Sequence, residues 1–409
     1  MTMGNLCKVL MLLEDDPYPF DSRVRLEALT LLDAGYGVTV ICPNSKGQRV
    51  VEIVEGVRVY RFPSVPEVRG ALGYALEWGY STLMIAILSL WILFRHGFDI
   101  VHLNNPPDCL ILAVVGYKLL GKKIVFDHHD LVPEAYLSKY GGRKNWLYRV
   151  LLWLEQMSQR IADVVIVTND SYRYNAIERV GKPASRVFVV RNGPRLSFGQ
   201  RQGNSHAPVP TKDRLGSEMC AYALGYLGIM SVSDGVDYLL RSIYHLVYEM
   251  GRVDLQCLII GDGSALPSLR QLAKDLNIEN HVRFIGRLKY EQIPEILATV
   301  TVCVEPAPAS PFNDKSTMIK VVEYMALSKP IVAFDLLETR YTAQEAALYA
   351  RPNDERDFAE KIAMLLDNAD LQAQMAAHGR RRFQQVLAWE HSVPSLLQAY
   401  NALFSGGPL

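Results

Sequence analysis

The sequence predicts an α/β protein of two domains, each built on a parallel β-sheet. Short apolar and β-branched runs alternate with helix-like segments in both halves of the chain, and this alternation predicts parallel strands joined by helices. The length of 409 residues favours two domains. Residues 197–212 are rich in Gly, Ser, Pro, Gln and Asn, which is typical of a flexible linker. We therefore predict domains over residues 1–196 and 218–389, joined by a linker over 197–217.

Composition excludes some classes of partner. Formal net charge is zero and 49% of residues are hydrophobic, so the sequence indicates a globular protein without the basic surplus expected of a nucleic-acid-binding protein. The cysteines lack metal-ligand spacing, and several lie in apolar strand-like runs, which favours free thiols in a reducing compartment. The apolar start is too short for a signal peptide, so we expect a cytoplasmic protein.

The first half opens with a predicted strand, a polar loop and a helix. The strand spans residues 8–13 and the helix residues 22–34, with Asp21 or Ser22 as its N-cap. Arg23 and Arg25 lie at the start of this helix, where they either hold an anionic acceptor or form ordinary surface salt bridges. Further strands are predicted at 37–42, 50–62 (a hairpin), 99–103, 123–127, 163–168 and 187–191.

Residues 78–94 are uncharged over their whole length and lie between Glu77 and Arg95. Their length is at the lower edge for a membrane span, and Trp78, Tyr80 and Trp91 are residue types enriched at membrane interfaces. Three hypotheses stay open: a helix buried against the sheet, a helix in the membrane interface, and a true span. A span would interrupt the strand–helix alternation on both sides.

Polar side chains follow two predicted strands of the first half. Asn105 follows the strand at 99–103, and His128 and His129 follow the strand at 123–127. Ligands of parallel sheets bind beyond the carboxyl ends of strands, so these residues are candidates for a binding site. Hydrogen-bonded structural histidines are the alternative. No HExxH-type metal spacing accompanies them.

In the second half, strands are predicted at 221–227, 255–260, 282–285, 301–304 and 331–334. Glycines follow three of them, at Gly228, at Gly261 with Gly263, and at Gly286. Each glycine either lets the backbone approach a ligand or makes a tight strand-to-helix turn; for Gly261 and Gly263 the tight turn is favoured.

A loop and helix after residue 304 form a candidate anion site. Asp314, Ser316 and Thr317 are N-cap types before a helix predicted over residues 318–327. A helix N-terminus beside the carboxyl end of a parallel strand favours phosphate. Lys320 and Glu323 share one helix face, so Lys320 can neutralise a phosphate while Glu323 accepts from sugar hydroxyls. The alternative is an exposed Lys–Glu pair.

Three segments resemble retaining glycosyltransferases of family 4. They are KVVEYMALSKPIVAFD (320–335), DSRVRLEALTLLDAGYGVTVICP (21–43) and FDHHDLVPE (126–134). The resemblance implies the GT-B architecture, two Rossmann-like domains whose parallel sheets face a central cleft. It implies that the first domain takes the acceptor and the second the nucleotide-sugar donor. It also implies that a last helix, about residues 390–409, packs back onto the first domain.

The resemblance carries roles to individual residues. The glutamate matching Glu323 binds ribose, and the histidine matching His129 contacts the donor sugar near its anomeric carbon. We predict His129, Lys320 and Glu323 as catalytic residues. Two further sets are predicted: donor contacts from Gly228, Gly261, Gly263, Arg287, Ser316, Thr317, Lys320 and Glu323, and acceptor contacts from Asp21, Arg23, Arg25, Asn105 and His128.

Three positions depart from the family pattern. Lys315 stands where many members have a second glutamate, and Ile229 and Asp234 stand where arginine and lysine hold the diphosphate. A diphosphate needs cationic or N–H partners, so other groups must supply them. Lys320, Arg287 and the helix N-terminus near Ser316 and Thr317 are the candidates. A subgroup of bacterial surface-polysaccharide enzymes resembles this sequence at all these places.

The resemblance implies a retaining glycosyltransferase for cell-surface polysaccharide assembly. Its partners would be a nucleotide-diphosphate sugar and a glycan or polyprenyl-linked acceptor, with no metal and no cofactor. The enzyme would be cytoplasmic, or peripheral on the inner membrane face through residues 78–94. Two alternatives stay open: a GT-B sugar-nucleotide epimerase, and a catalytically silent scaffold, which the residues at Lys315, Ile229 and Asp234 favour.

Overall fold

A computed structural model describes residues 6–45, 47–64, 70–200 and 221–404 of the chain. The chain divides into two units. Unit 1 comprises Met1–Asn192 and Ser392–Leu409, and unit 2 comprises Gly193–His391. Of the predicted linker, residues 197–200 belong to unit 2, where Phe198 is buried in the core; residues 201–217 lie outside the described residues.

The described part of unit 1 contains one eight-stranded sheet in the order β3-β4-β2-β1-β5-β6-β7-β8. Every neighbouring pair is parallel except β3 and β4, which form the predicted hairpin. Its strands are β1 Lys8–Leu12, β2 Gly37–Pro43, β3 Val51–Val54, β4 Val57–Phe62, β5 Ile100–Asn104, β6 Lys123–His128, β7 Val164–Val167 and β8 Val187–Val189.

Helices connect these strands and cover the sheet. Asp21 caps the first of them by accepting from the Val24 N–H at 2.9 Å, and Asn145 caps the fifth. The central strands are buried on both faces, as parallel strands require. The helices are α1 Ser22–Asp33, α2 Ala71–Arg95, α3 Ile111–Val114, α4 Val132–Lys139, α5 Trp146–Ile161 and α6 Asp170–Tyr174.

Unit 2 contains, in its described residues, a six-stranded parallel sheet in the order β11-β10-β9-β12-β13-β14. Its strands are β9 Tyr222–Leu227, β10 Leu255–Ile260, β11 Val282–Gly286, β12 Val302–Glu305, β13 Ile331–Phe334 and β14 Ala347–Ala350. Its helices are α7 Val236–Tyr244, α8 Leu266–Asp275, α9 Ile293–Ala298, α10 Ile319–Ala326, α11 Leu337–Ala343, α12 Glu355–Leu366 and α13 Ala369–Arg382. Apolar side chains pack on both faces of the sheet.

The last helix, α14 Trp389–Ala402, begins in unit 2 and belongs to unit 1 from Ser392 onward. Its Tyr400 is fully buried in unit 1, where the hydroxyl lies 2.7 Å from Nδ1 of His102. The Ser392 hydroxyl donates to the carbonyl of Arg191 at 2.9 Å. Residues 405–409 of the predicted last helix lie outside the described residues.

Helix α2 contains the uncharged stretch 78–94. By length and composition, Gly73–Arg95 could cross a membrane. Only 22% of an 18-residue apolar stretch within it is buried in the protein. One face of α2 packs on unit 1 through Ile85 and Ile92, whereas Leu83 and Phe94 are 59% and 83% exposed. The helix is therefore neither a core helix nor detached from the sheet: one side is packed and the other is apolar and exposed.

Candidate active site

The carboxyl end of β12 and the start of α10 bring Lys320 and Glu323 together in unit 2. Both side chains are buried, at 9% and 6% exposed. The alternative of an exposed surface pair is therefore wrong. Burying two ionisable groups on one helix face is costly unless each has partners, so their partners define the site.

Lys320 lies within a cage of polar groups contributed by three elements. Its Nζ is 3.3 Å from a carboxylate oxygen of Glu305, which ends β12, and 3.4 Å from Asp234. It donates to the hydroxyl of Tyr226 at 3.2 Å and lies 4.7 Å from the centre of that ring. Burial alone would lower the pKa of Lys320, but Glu305, Tyr226 and Asp234 outweigh it and raise the pKa, so the side chain stays cationic.

Glu323 has a different environment. The hydroxyl of Tyr290 donates a hydrogen bond to its carboxyl group. Burial raises the pKa of Glu323 from 4.5 to about 7, against the opposing effects of Tyr290 and Lys320. The group therefore titrates near neutral pH, which is a frequent property of functional carboxyl groups.

The N-terminus of α10 has no side-chain cap. Its N-cap residue is Met318, which contributes no side-chain hydrogen bond. The capping predicted for Asp314 and Ser316 is wrong, because Asp314 accepts from the Leu337 N–H and the Ser316 hydroxyl donates to the Phe312 carbonyl. Thr317 directly precedes Met318. First-turn N–H groups without a cap are suited to bind an anion.

The glycine turns hold the backbone close to neighbouring backbone. A Cβ at Gly261, whose φ is +134°, would lie 1.9 Å from the carbonyl oxygen of Gly228. A Cβ at Gly263 would lie 2.4 Å from the carbonyl oxygen of Met230. Both glycines are therefore required for turn packing. Gly228 is different, since its missing side chain leaves room for Lys320, whose Nζ would be 3.0 Å from a Cβ there.

Asp234 and Arg287 occupy contrasting positions. The Asp234 carboxylate accepts from the Ser231 N–H at 3.1 Å in a capping box and also faces Lys320. Asp234 stands where the family has a cationic residue, and here it pairs instead with Lys320, the cationic residue of α10. Arg287 follows β11 and is exposed, and no ion pair joins it to a carboxylate within the described part of the chain.

In unit 1, His129 lies just beyond β6 and is held by Asp127. Its Nδ1 is 3.0 Å from a carboxylate oxygen of Asp127, and the His129 side chain is 16% exposed. Burial alone would lower the pKa of His129, but Asp127 raises it to about 9, so the imidazole is protonated at neutral pH. The imidazolium therefore has a second donor, its Nε2–H.

Asn105 positions His129 through the backbone. Its side-chain oxygen accepts from the N–H groups of His129 and Asp130 at 2.8 and 3.0 Å, and its amide donates to Asp108. It is 1% exposed. Asn105 is therefore not placed to contact an acceptor as predicted. Its side chain instead joins the loops that follow β5 and β6.

Two further predicted acceptor residues are corrected by their burial. The guanidinium of Arg23 donates to both carboxylate oxygens of Asp127 at 2.6 Å and to the Val190 carbonyl at 2.9 Å. His128 is fully buried between Phe126 and Tyr172, with its Nε2 3.1 Å from Glu155. Neither side chain can contact an acceptor, because all of its polar groups face the protein.

The remaining two lie nearer the surface. Asp21 caps α1, as predicted for its local structure. Arg25 donates to Glu55 at 2.7 Å in an exposed ion pair. This is the ordinary surface salt bridge that the sequence left open as an alternative, and nothing in the geometry assigns either residue to an acceptor.

Glu27, His102 and Asp127 offer ligand atoms within 4.8 Å of one another and so resemble a metal site. Arg23 supplies the positive charge there instead: its Nη2 lies 2.6 Å from Asp127 and 3.3 Å from Glu27. Burial lowers the pKa of His102 to about 4, so it is neutral. The donor set fits a buried ion-pair network better than a metal ion.

Sequence reasoning missed Glu305, Tyr226, Tyr290 and Asp127 as site residues. Glu305 and Asp127 each lie at or near the end of an apolar strand. A carboxylate in a buried strand needs a charged or hydrogen-bonding partner, so its position in the sequence could have indicated a site residue. Tyr290 lies in a short 3₁₀ turn, Tyr290–Gln292, and nothing in the sequence pattern connects it to Glu323.

Two family models match the chain. "Glycosyltransferase Family 4" matches residues 23–198 and "Glycosyl transferases group 1" matches residues 221–368. Among curated relatives, the D-inositol 3-phosphate glycosyltransferase of Corynebacterium urealyticum is 24% identical over 87% of this chain and 83% of its own length. The alpha-D-kanosaminyltransferase of Streptomyces kanamyceticus is 23% identical over 81% of this chain and 83% of its own.

Solved structures share the fold. Sucrose-phosphate synthase from Thermosynechococcus elongatus aligns with TM-score 0.79 at 18% identity, covering 98% of this chain and 100% of that one. Anabaena HepE in complex with UDP-glucose gives 0.71 at 15% identity over 97% and 99%. WaaG, a glycosyltransferase involved in lipopolysaccharide biosynthesis, gives 0.72 at 15% identity over 97% and 100%.

The two family models match successive parts of the chain: the first covers most of unit 1 and the first six residues of unit 2, and the second lies within unit 2. The matched relatives span most of the chain's length. The relatives are named as transferases, so neither the epimerase nor the silent scaffold is favoured. With its two parallel-sheet α/β units, the chain is a glycosyltransferase of the GT-B fold and belongs to glycosyltransferase family 4.

Proposed function

We propose that this glycosyltransferase takes a sugar from a nucleotide-diphosphate sugar and transfers it to a hydroxyl group of a glycan or lipid-linked acceptor, with retention at the anomeric carbon. The observation that carries the proposal is the start of α10, where buried Lys320 and Glu323 adjoin a helix N-terminus without a side-chain cap. The complex of HepE with UDP-glucose, a protein of the same fold, supports this class of donor.

Within this proposal, the N-terminal N–H groups of α10 and Lys320 hold the diphosphate. Negative charge grows on the leaving phosphate, so a cation fixed in place stabilises the transition state more than the ground state. Glu305 and Asp234 keep Lys320 charged and fixed. Glu323 accepts from the ribose hydroxyls, which take the place of the Tyr290 hydroxyl.

His129 donates a hydrogen bond to the donor sugar from its protonated ring. Asp127 fixes the imidazolium through Nδ1, leaving Nε2–H as the donor. In the retaining reaction, the acceptor hydroxyl attacks from the face that the phosphate leaves, and its proton passes to a leaving phosphate oxygen. No nucleophile from the protein is needed.

We propose that transfer needs no metal and no cofactor. Lys320 and the first turn of α10 supply the positive charge that a metal would otherwise bring to the diphosphate. Addition of EDTA should therefore leave the transfer rate unchanged, and restoration of a lost rate by Mg²⁺ would contradict this part of the proposal.

We further propose a role in cell-surface polysaccharide assembly at the cytoplasmic membrane face. WaaG, which shares the fold, is named for lipopolysaccharide biosynthesis. Residues 78–94 of α2 present an apolar outer side that fits the membrane interface. A lipid-linked acceptor would be reached from that position.

A donor panel tests the proposal. UDP-, GDP- and dTDP-sugars are screened by thermal shift, since a ligand at a hundred times its Kd adds about 2.7 kcal/mol of stability. The donor that binds is then incubated with acceptors, and the anomeric configuration of the product is read by NMR. An inverted product would refute retention. Donor turnover without an acceptor would indicate an epimerase, and binding without any reaction would indicate a scaffold.

A further inference from the structure

We infer that unit 1 binds an anionic lipid bilayer through a surface formed by three segments, residues 78–95 of α2, 109–122 around α3, and 139–161, which comprise the loop before α5 and α5 itself. We call it the three-helix face. The inference rests on the proposed function, because membrane binding serves the enzyme only if its acceptor is linked to a lipid of the bilayer. It extends that proposal from one helix to a surface with a defined lipid preference.

The topology of the sheet brings the three segments side by side. The crossovers from β4 to β5, β5 to β6 and β6 to β7 all advance in the same direction along the sheet. Right-handed crossovers of one direction place their helices on one face of the sheet. Side-chain bonds join the segments: Ser89 to Tyr117 at 2.8 Å, and Lys118 to the Ile161 carbonyl at 2.7 Å.

Helix α2 turns its polar residues inward. Ser81 and Ser89 are 3% and 0% exposed, and they bond to Glu14 and Tyr117. Large apolar side chains at helical spacing lie on the outer side: Leu83, Ile87, Leu90, Trp91 and Phe94. A helix at a water-facing surface has the opposite pattern. The outer side of α2 therefore fits an apolar environment.

The next two segments continue this apolar surface. Trp146, Val150 and Trp153 on α5 follow the spacing i, i+4, i+7 and are 73%, 40% and 56% exposed. The segment around α3 adds Leu112, Val115, Leu119 and Leu120. Exposed tryptophans beside aliphatic residues are typical of surfaces that lie in the membrane interface.

The charged residues that the three segments expose are all basic, and two of them are paired with carboxylates outside the segments, Lys118 with Asp163 and Lys122 with Asp99. The three segments contain eight basic residues, Arg95, Lys118, Lys122, Lys139, Arg143, Lys144, Arg149 and Arg160, and a single acidic one, Glu155, in a chain whose net charge is zero. Glu155 is fully buried. Among the described residues, no carboxylate pairs with Arg95, Arg143, Lys144 or Arg149.

Charge complementarity identifies the occupant as anionic lipid. Basic residues near a bilayer surface each add about fivefold to the affinity for negatively charged lipid. A protein partner would favour an apolar centre depleted of Lys, whereas here basic residues flank every apolar segment. The combination of Trp, Leu and unpaired Arg fits the headgroup boundary of an anionic membrane.

The test measures binding of the full chain to vesicles by co-sedimentation. Vesicles of phosphatidylcholine alone are compared with an equal mixture of phosphatidylglycerol and phosphatidylcholine. We expect binding to the anionic vesicles. Trp146→Ser with Trp153→Ser should lower the partition coefficient at least tenfold. Arg143→Glu with Lys144→Glu and Arg149→Glu should lower it by on the order of a hundredfold.

Matched controls separate lipid binding from general effects. Val51→Ser with Ile53→Ser removes exposed apolar side chains from β3, and Arg241→Glu with Lys274→Glu and Arg381→Glu makes the same charge change in unit 2. Both should bind vesicles as the wild type does. Thermal unfolding and the donor thermal shift, measured without vesicles, should be unchanged in all variants.

Three results would overturn the inference. They are no binding of the wild type to anionic vesicles, equal loss in the control variants, and a wild-type dimer in sedimentation velocity that the Trp146/Trp153 variant converts to a monomer. The last would assign the face to a second copy of the chain. If no nucleotide sugar raises the unfolding temperature of the wild type, that result counts against the proposed function instead. The vesicle result can still be interpreted by itself.

Discussion

Replacing Glu323 by Gln should stabilise the protein at neutral pH and weaken donor binding. Burial raises the pKa of Glu323 from 4.5 to about 7. Below pH 4.5 both folded and unfolded states hold the proton. Between pH 4.5 and about 7, this carboxyl group ionises in the unfolded chain but not in the folded protein, so the stability present at low pH is lost as pH rises through about 7. A difference of one pKa unit between the two states corresponds to about 1.4 kcal/mol, so the total loss is about 3 kcal/mol.

Glutamine stays neutral at every pH and can still accept from Tyr290. The free energy of unfolding of the variant, minus that of the wild type, should therefore grow from near zero at pH 4.5 to about 3 kcal/mol at pH 8. The variant loses the charged hydrogen bond to the donor, which is worth about 1.5–3 kcal/mol, or roughly ten- to a hundredfold in Kd.

Denaturant unfolding at the two pH values and calorimetry with the donor found in the panel measure both effects. Subtracting wild type from variant at each pH cancels the titration of other groups. Equal stability of the two proteins at pH 8 would refute the buried-carboxyl reasoning, and unchanged donor affinity would refute the ribose role.

Three further predictions concern the neighbouring groups. Lys320→Ala should reduce kcat more than donor affinity, and a raised KM with unchanged kcat would contradict the transition-state role. The same change should destabilise the protein by about 3–5 kcal/mol, because Glu305 and Asp234 lose their buried cation. Transfer should decline as pH rises through about 9, where His129 loses its proton, and His129→Gln should abolish this alkaline limb in a pH–rate profile; an unaltered limb would exclude His129 as its source. Gly261→Ala should unfold unit 2 because its Cβ would overlap the Gly228 carbonyl, whereas Gly286→Ala meets no atom within 4 Å and should cost only the strain of its positive φ; equal unfolding midpoints would show that the turn can relax.

The sequence by itself determined the fold class and the location of the candidate site. Alternation of strand-like and helix-like segments is a local pattern set by the periods of the two structures, so it is readable without tertiary contacts. The ends of β5, β6 and β12 were placed to within about a residue because apolar β-branched runs stop where the chain leaves the sheet. The polar residues that follow them were therefore found.

Only the tertiary structure decided which of those residues are free to act. Successive residues of a strand point to opposite sides, so His128 enters the core between Phe126 and Tyr172 while His129, one residue later, reaches the edge. Arg23 pairs with Asp127, and Lys320 with Glu305 and Asp234, residues distant in sequence that strand order brings together. The apolar side of α2 faces outward because its serines bond inward to Glu14 and Tyr117. Pairing and burial are non-local, and no periodicity within a single segment encodes them.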